Sequence, residues 1–303
     1  MDSRTVFFPR CIDSLPGAQV LRRAARVLVI GVAVGIAPMA GAQWSKKEEP
    51  AREGVDVGEQ SRMAGLVPAE KVEGAAQQQY RQLLQQAAAK RMLAGPDHPQ
   101  LKRVRAISQR LIPSAVVWNP RAKNWKWEVN VIGASAINAF CMPGGKIAVF
   151  TGILDKLQLT DDEVAMVVGH EMAHALREHA RERMAKNTAT QVGARIGGAV
   201  LASIFGVDPN VTDLLARGGA NLLTLKFGRN DESEADLIGM EIAARAGYDP
   251  RAAVTLWKKM AQAAKGAPPE WLSTHPSGTS RIAEIERNLP RVMPLYERTL
   301  AKR

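Results

Sequence analysis

Cysteine is nearly absent: 303 residues carry two, Cys11 and Cys141. Aromatic residues make up 5% of the chain, and histidine occurs five times. The longest apolar run, Val27–Met39, falls short of the roughly 18–20 residues that cross a bilayer as a helix. No internal repeat is present. These shortages exclude a disulfide-stapled scaffold, a polytopic membrane protein and a solenoid. They also exclude a nucleic-acid binder built on stacking platforms, because the basic residues have no aromatics interleaved among them. The 46% of hydrophobic residues is enough for one good-sized core, with or without a helical appendage.

What is present begins with an export pattern. Arg22, Arg23 and Arg26 precede the apolar run, which ends in Ala40-Gly41-Ala42 before Gln43. A basic start, a short apolar centre and small residues before a cut describe a secretory signal peptide over residues 1–42; the alternative is an uncleaved N-terminal anchor. The expectation is a mature chain starting near Gln43 in a bacterial periplasm. Its cysteine would be Cys141 alone, a buried apolar residue rather than a nucleophile. Its charge would fall from +11 to 36 − 28 = +8, since residues 1–42 hold five Lys/Arg and two Asp/Glu. Such a surface favours anionic partners, including acidic membrane faces, and no specific nucleic acid is expected.

Residues 43–75 are polar, without a sustained apolar period, and read as a flexible leader; residues 76–303 form the domain. Helices are expected over Ala75–Leu93, stopped by Gly95-Pro96, and over Pro99–Leu111. Alternation at 125–131 and the runs 139–143 and 146–151 read as strands, the last two joined by a tight Gly144-Gly145 hairpin. Thr160-Asp161-Asp162-Glu163 fits a capping box and opens a helix running to about Lys186. Asn187–Phe205, rich in Gly and Ala, is a packed helical hairpin or a membrane-touching amphipathic element. A turn at Asp208-Pro209-Asn210 leads to a helix ending near Phe227. Further helices span 231–246 and Arg251 to about Lys265.

Chemistry concentrates in His170-Glu171-Met172-Ala173-His174. On a helix, positions i and i+4 lie a turn apart on one face, so both imidazoles can converge on one ion. A catalytic zinc takes three protein ligands and keeps one position open, and Glu171 would serve as general base toward the attacking water. A metzincin would continue with Gly and His where Arg177 and Ala180 stand, so that class is excluded. His179 falls about 140° round the helix from His174 and is not expected to ligate. The carboxylate option for a third ligand is Glu232-Ser233-Glu234-Ala235-Asp236; Glu232 and Asp236 share a face, and Glu234 is the rival. His275, in a loop of small and polar residues, is an accessory candidate able to approach and gate the open position; the plain alternative is a solvent-exposed loop histidine.

The motif pair, Gly-His-Glu-Met-Ala-His with Arg229-x-x-Glu232-x-x-Ala235-Asp236, resembles the HtpX/CAAX-prenyl-protease/Oma-type zinc metallopeptidases, gluzincins with HExxH and a distal ExxAD. Asn138-Ala139-Phe140 through Gly144-Gly145, Thr151-Gly152, His275-Pro276 and Arg281-Ile282 extend the likeness to roughly residues 95–290. The resemblance implies one Zn²⁺ held by His170, His174 and Glu232, with Glu171 catalytic and Asp236 at a supporting or proton-donor position. It further implies Arg229 as a cation facing the substrate or the transition state. Departures are Gly228 where Ser is common, and the absence of a four-span membrane architecture and of a tetratricopeptide tail, which points to the periplasmic branch. The expected fold is α+β and zincin-like: mostly helical, with a small sheet beside the HExxH helix. The expected function is zinc-dependent hydrolysis of misfolded or unassembled envelope proteins, with association to a membrane surface or to outer-membrane assembly machinery. The alternative is a periplasmic chaperone or assembly factor with little turnover. The strand at Ala139–Met142 would offer an edge to an extended substrate.

Overall fold

Leu101, Val104, Ile107 and Leu111 recur at helical spacing. Helix α2 (Pro99–Leu111) buries all four, with Pro99 in its first turn and the His98 side chain accepting from Gln100 N. These features belong to a computed structural model that describes residues 53–196, 222, 225–265, 269–275 and 279–302. Helix α1 (Ala69–Ala89) precedes α2 and buries Val72, Ala76 and Tyr80. Strands β1 (Glu128–Ile132), β2 (Ala139–Met142) and β3 (Lys146–Phe150) form one sheet in the order β1-β3-β2. β1 and β3 run parallel, while β2 and β3 are antiparallel. Gly144 and Gly145 turn that hairpin at φ 81° and 77°, a region that residues with a Cβ avoid. β2 is therefore an edge strand among the described residues.

The two faces of the sheet feed two cores. Ile147 and Val149 point into the larger core, while Ala148 and Met142 point toward Tyr80 beneath α1. Tyr80 Oη donates to Ile147 O at 2.5 Å and accepts from Asn130 Nδ2, fastening α1 to the strands.

After the short α3 (Thr151–Lys156), helix α4 (Asp161–Leu176) starts with the expected capping box: Thr160 Oγ1 accepts from Glu163 N, and Glu163 Oε2 from Thr160 N. From Glu163 to Leu176 every residue is buried. α4 lies against β2 on one side and against α6 (Arg229–Arg245) on another. The helices cross with their backbones in contact, because a Cβ at Gly239 would sit 2.5 Å from His170 N and one at Gly169 would sit 2.7 Å from Gly239 O. Helices α7 (Ala252–Ala263), α8 (Trp271–Thr274) and α9 (Thr279–Leu300) complete the described chain.

Several expectations are corrected. The described part of the leader is not loose: Val55 is buried, its N–H donates to Glu241 Oε2 at 2.8 Å, and Arg245 Nη2 donates to Glu53 O. The helix opened at Thr160 does not run on to Lys186. It breaks at Glu178, whose φ is 58°, and a new helix α5 (His179–Ile196) begins. The sequence reading placed no helix beyond about Lys265, and α8 and α9 stand there. In α9, Pro290 and Pro294 interrupt a pattern whose apolar positions (Ile282, Ile285, Leu289, Val292, Leu295) still recur at helical spacing. The expected signal peptide, the second half of 187–205 and the turn at 208–210 with most of the helix after it lie outside the described residues. No helix among those described is long and apolar enough to cross a membrane.

Candidate metal centre

Two helices, crossed at glycines, bring three donors together, and the end of α8 adds a fourth. On α4 the Nε2 atoms of His170 and His174 are 3.1 Å apart. From α6, Glu232 Oε1 lies 3.5 Å from His174 Nε2, and Oε2 lies 3.6 Å from His170 Nε2. His275, just past α8, places Nδ1 3.1 Å from Glu232 Oε1 and 3.3 Å from His170 Nε2. All four residues are at most 3% exposed.

The opposite edges of the imidazoles are also held. His170 Nδ1 is 3.1 Å from Asp236 Oδ1. Asp236 is clasped by Arg281, through Nε to Oδ2 at 2.6 Å and Nη2 to Oδ1 at 2.7 Å, and Trp257 Nε1 donates to Oδ1 at 3.2 Å. His174 Nδ1 is 2.9 Å from His179 Nδ1, and its ring stacks on Phe227 with centroids 4.0 Å apart. The Asp236 carboxylate can only accept, so His170 carries its proton on Nδ1 and turns an Nε2 lone pair toward His174 and Glu232.

The donor set fits a zinc ion. Four ligand atoms, one from each of His170, His174, Glu232 and His275, lie within 4.8 Å of one another. Donors at about 2.0–2.1 Å from a tetrahedral zinc stand roughly 3.4 Å apart, close to the separations here. Glu232 Oε2 also lacks a hydrogen-bond partner: Arg281 Nη1 is 2.7 Å away as an ion pair but not at a hydrogen-bonding angle. Imidazole lone pairs converging beside a buried carboxylate suit a cation held among them.

The titrating groups reflect this crowding. Burial pushes Glu232 up, but His275, His170 and Arg281 outweigh it and hold its carboxyl below the ordinary range. Burial would likewise raise Asp236, yet Arg281 and His170 keep it ionised. Burial, reinforced by neighbouring cations, pushes His174 well down, toward the neutral form that binds metal. For His275 burial acts downward, and Glu171 and Glu232 more than reverse it.

Glu171 stands on the cleft side of the cluster, its Oε1 3.6 Å from His275 Nε2 and accepting from Trp271 Nε1 at 2.6 Å. Trp271 is itself anchored to the segment just ahead of β2, its backbone N–H donating to Ile137 O at 3.1 Å. In front of Glu171 opens a cleft of about 310 Å³, walled by β2 from Ala139 to Met142 and by Phe150, His174, Leu225 and Phe227. The Glu171 carboxylate thus faces an edge strand across a cavity.

The structure brings His170, Glu171, His174, Glu232, Asp236 and His275 into one buried cluster and leaves out one expected member. Arg229 stands exposed at the first position of α6; the guanidinium among the site carboxylates is that of Arg281. Of the two places expected for Asp236, supporting or proton-donor, its contacts with Arg281, Trp257 and His170 Nδ1 fit the supporting one. His275 is buried, not a solvent-exposed loop histidine, because α8 folds it inward with its N–H on Trp271 O. Glu234 points away to Arg177 at 2.7 Å. Trp257, inside α7, and Trp271, at the start of α8, are functional neighbours that the sequence does not reveal, because an indole carries no local signal of its partner.

A buried His-Glu-x-x-His helix faced by a glutamate from a second helix defines a metallopeptidase of the gluzincin kind. The chain belongs to peptidase family M48, whose family profile matches residues 98–289. It is 42% identical over 155 residues to the mitochondrial metalloendopeptidase OMA1 of Arabidopsis thaliana, covering 51% of this chain and 30% of that protein. To the mitochondrial metalloendopeptidase OMA1 of Saccharomyces cerevisiae it is 32% identical over 216 residues, covering 67% and 60%. It also resembles the beta-barrel assembly-enhancing protease of Escherichia coli O157:H7, with 29% identity over 172 residues, 54% of this chain and 35% of that one. The chain thus spans between 30% and 60% of the length of these relatives.

Proposed function

We propose that this chain is a zinc-dependent endopeptidase acting on misfolded or unassembled polypeptides of the bacterial envelope. The carrying observation is the placement of Glu171 beside His170, His174 and Glu232, facing a cleft whose wall is the β2 edge. His170, His174 and Glu232 would hold the ion, which when bound supplies Lewis-acid polarisation of a peptide carbonyl and acidifies water. Glu171, oriented by Trp271, takes the proton of the attacking water and delivers it to the leaving amine. Asp236 keeps the His170 imidazole in the tautomer that presents Nε2. The backbone of β2 offers unpaired groups to an extended substrate, which favours chains without a stable fold. His275 is the fourth donor of a set in which catalysis needs an open position, so it must withdraw for substrate to enter.

The envelope assignment is supported by the basic, apolar and small-residue pattern through Ala42 and by the name of the Escherichia coli relative; the mitochondrial names belong to other relatives. The net charge of the chain suits an anionic membrane face. Two measurements test the reading. Wild type should carry about one zinc per chain, lost in His170→Ala and in Glu232→Ala; zinc retained by Glu232→Ala would sink the ligand assignment. Glu171→Gln should keep zinc and lose cleavage of an unfolded polypeptide. If Glu171→Gln still supports envelope function in cells, the protein is a chaperone or assembly factor instead. Fractionation with N-terminal sequencing checks the compartment, the expected result being a periplasmic chain that begins near Gln43.

A further inference from the structure

His170 leans on a carboxylate, as metal-binding imidazoles ordinarily do. His174 leans on another imidazole, with Nδ1 2.9 Å from His179 Nδ1. Beyond it, His179 Nε2 lies 3.4 Å from Glu234 Oε2, and Arg177 Nε donates to that same oxygen at 2.7 Å. One proton arrangement satisfies the whole row. His174 Nδ1–H donates to His179 Nδ1, and His179 Nε2–H donates to the Glu234 carboxylate. His174 Nε2 is then free to face the ion. The reverse arrangement would give Glu234 no proton from His179 and leave His174 Nε2 protonated where a ligand is needed.

The backbone is shaped to make this row. On a continuous helix His179 would stand about 140° away from His174. The left-handed turn at Glu178 swings His179 back over it, and Gln60 Nε2 fastens that turn by donating to Arg177 O at 3.2 Å and Glu178 Oε2 at 2.9 Å. Arg177 Nη2 in turn donates to Glu59 O at 2.9 Å and to Gly58 O at 3.3 Å. On the far side of His179 is a small cavity of about 150 Å³ lined by Glu59, Arg177, Glu182, Asp231 and Glu234, so its Nε2 meets polar surroundings.

We infer that His179 and Glu234 are positioning residues for His174, and that Arg177 ties the pair to the 58–60 segment. This rests on the reading of His174 as a zinc ligand. His179 fixes the tautomer and ring plane of His174, Glu234 fixes His179, and the extended segment ahead of α1 becomes part of the support of the centre.

The test measures zinc affinity by chelator competition, and the visible spectrum of the cobalt-substituted protein, in the full chain. His179→Phe removes both nitrogens and keeps a ring beside Phe227. It should bind zinc about 10–100-fold more weakly and shift the cobalt bands, while its metal-free form melts like the metal-free wild type. Glu234→Gln should lose less. The double variant should be no weaker than His179→Phe alone, because the carboxylate acts through the imidazole. Unchanged zinc affinity in His179→Phe, additive losses, or a loss matched by an equal fall in metal-free melting would overturn the inference. If His179→Phe does not fold, Glu234→Gln decides by itself, and unchanged affinity there counts against it. Undiminished zinc in His174→Ala is a separate result that removes the ligand assignment instead.

Discussion

Two indoles end on the two carboxylates that matter most: Trp271 on Glu171 and Trp257 on Asp236. A hydrogen bond to a charged group is worth about 1.5–3 kcal/mol, and at roughly 1.4 kcal/mol per tenfold Trp271→Phe should lower kcat/KM about 10–100-fold. Zinc content should not change; steady-state assays beside metal analysis check both. If His275 must withdraw, His275→Ala should cleave an unfolded polypeptide faster than wild type while still holding zinc. At this scale the sequence was informative where spacing dictates geometry. His170 with His174, and Glu232 with Asp236, are each four apart, and each pair shares a helix face. Nothing in the sequence shows where Arg281 ends, and a continuous helix puts His179 on the wrong face. Arg281 arrives from a helix interrupted by two prolines, and His179 reaches His174 only because the helix breaks at a residue with no turn propensity of its own.

Between elements, the decisive contact is the crossing of α4 and α6. Gly169 and Gly239 let the backbones touch, and this closeness puts Glu232 within reach of both imidazoles. Gly239→Ala would drive a methyl into His170 N, backbone against backbone, where no rotamer gives relief. Overpacking of this sort costs about 1–3 kcal/mol, so melting should fall and zinc affinity with it, since the ligands sit on the two helices being wedged apart. A Gly239→Ala protein with wild-type melting and affinity would show that the crossing is looser than drawn. Helices α2, α4 and α6 were legible from apolar period and capping, as were the strands from alternation and the Gly-Gly turn. The sheet order was not: β1 pairs parallel with β3 and not with β2, which lies between them in sequence, and pairing between segments distant in sequence leaves no local mark.

For the molecule as a whole, folding and metal binding are linked. Ligands from α4, α6 and the end of α8 lie far apart in the chain, so an ion binding only the folded state stabilises it by mass action, about 2.7 kcal/mol at a hundredfold excess over Kd. Chelation should therefore lower Tm by roughly 5–10 °C, read by calorimetry with and without added zinc. Acid sensitivity has a second source. Glu163 joins α4 to α7, accepting from Thr255 Oγ1 at 2.8 Å and pairing with Lys259 Nζ at 2.6 Å. Burial pushes its carboxyl up, but Lys259, Thr160 and Thr255 together hold it below the ordinary value of 4.5. A depressed folded-state pKa gives stability that is present above the unfolded value and lost as pH falls through the folded one. Stability should accordingly decline below about pH 4.5, and Glu163→Gln should be less stable at neutral pH and show a shallower decline, as followed by urea melts across pH.

Four of the five histidines, His170, His174, His179 and His275, stand ring against ring, and the fifth, His98, is exposed at the start of α2. Imidazole resonances are therefore a nearly private channel to this centre. On titration with zinc, four sets of ring nitrogen signals should move or sharpen together while one stays in place, giving an occupancy gauge that needs no substrate and an internal standard from the same chain.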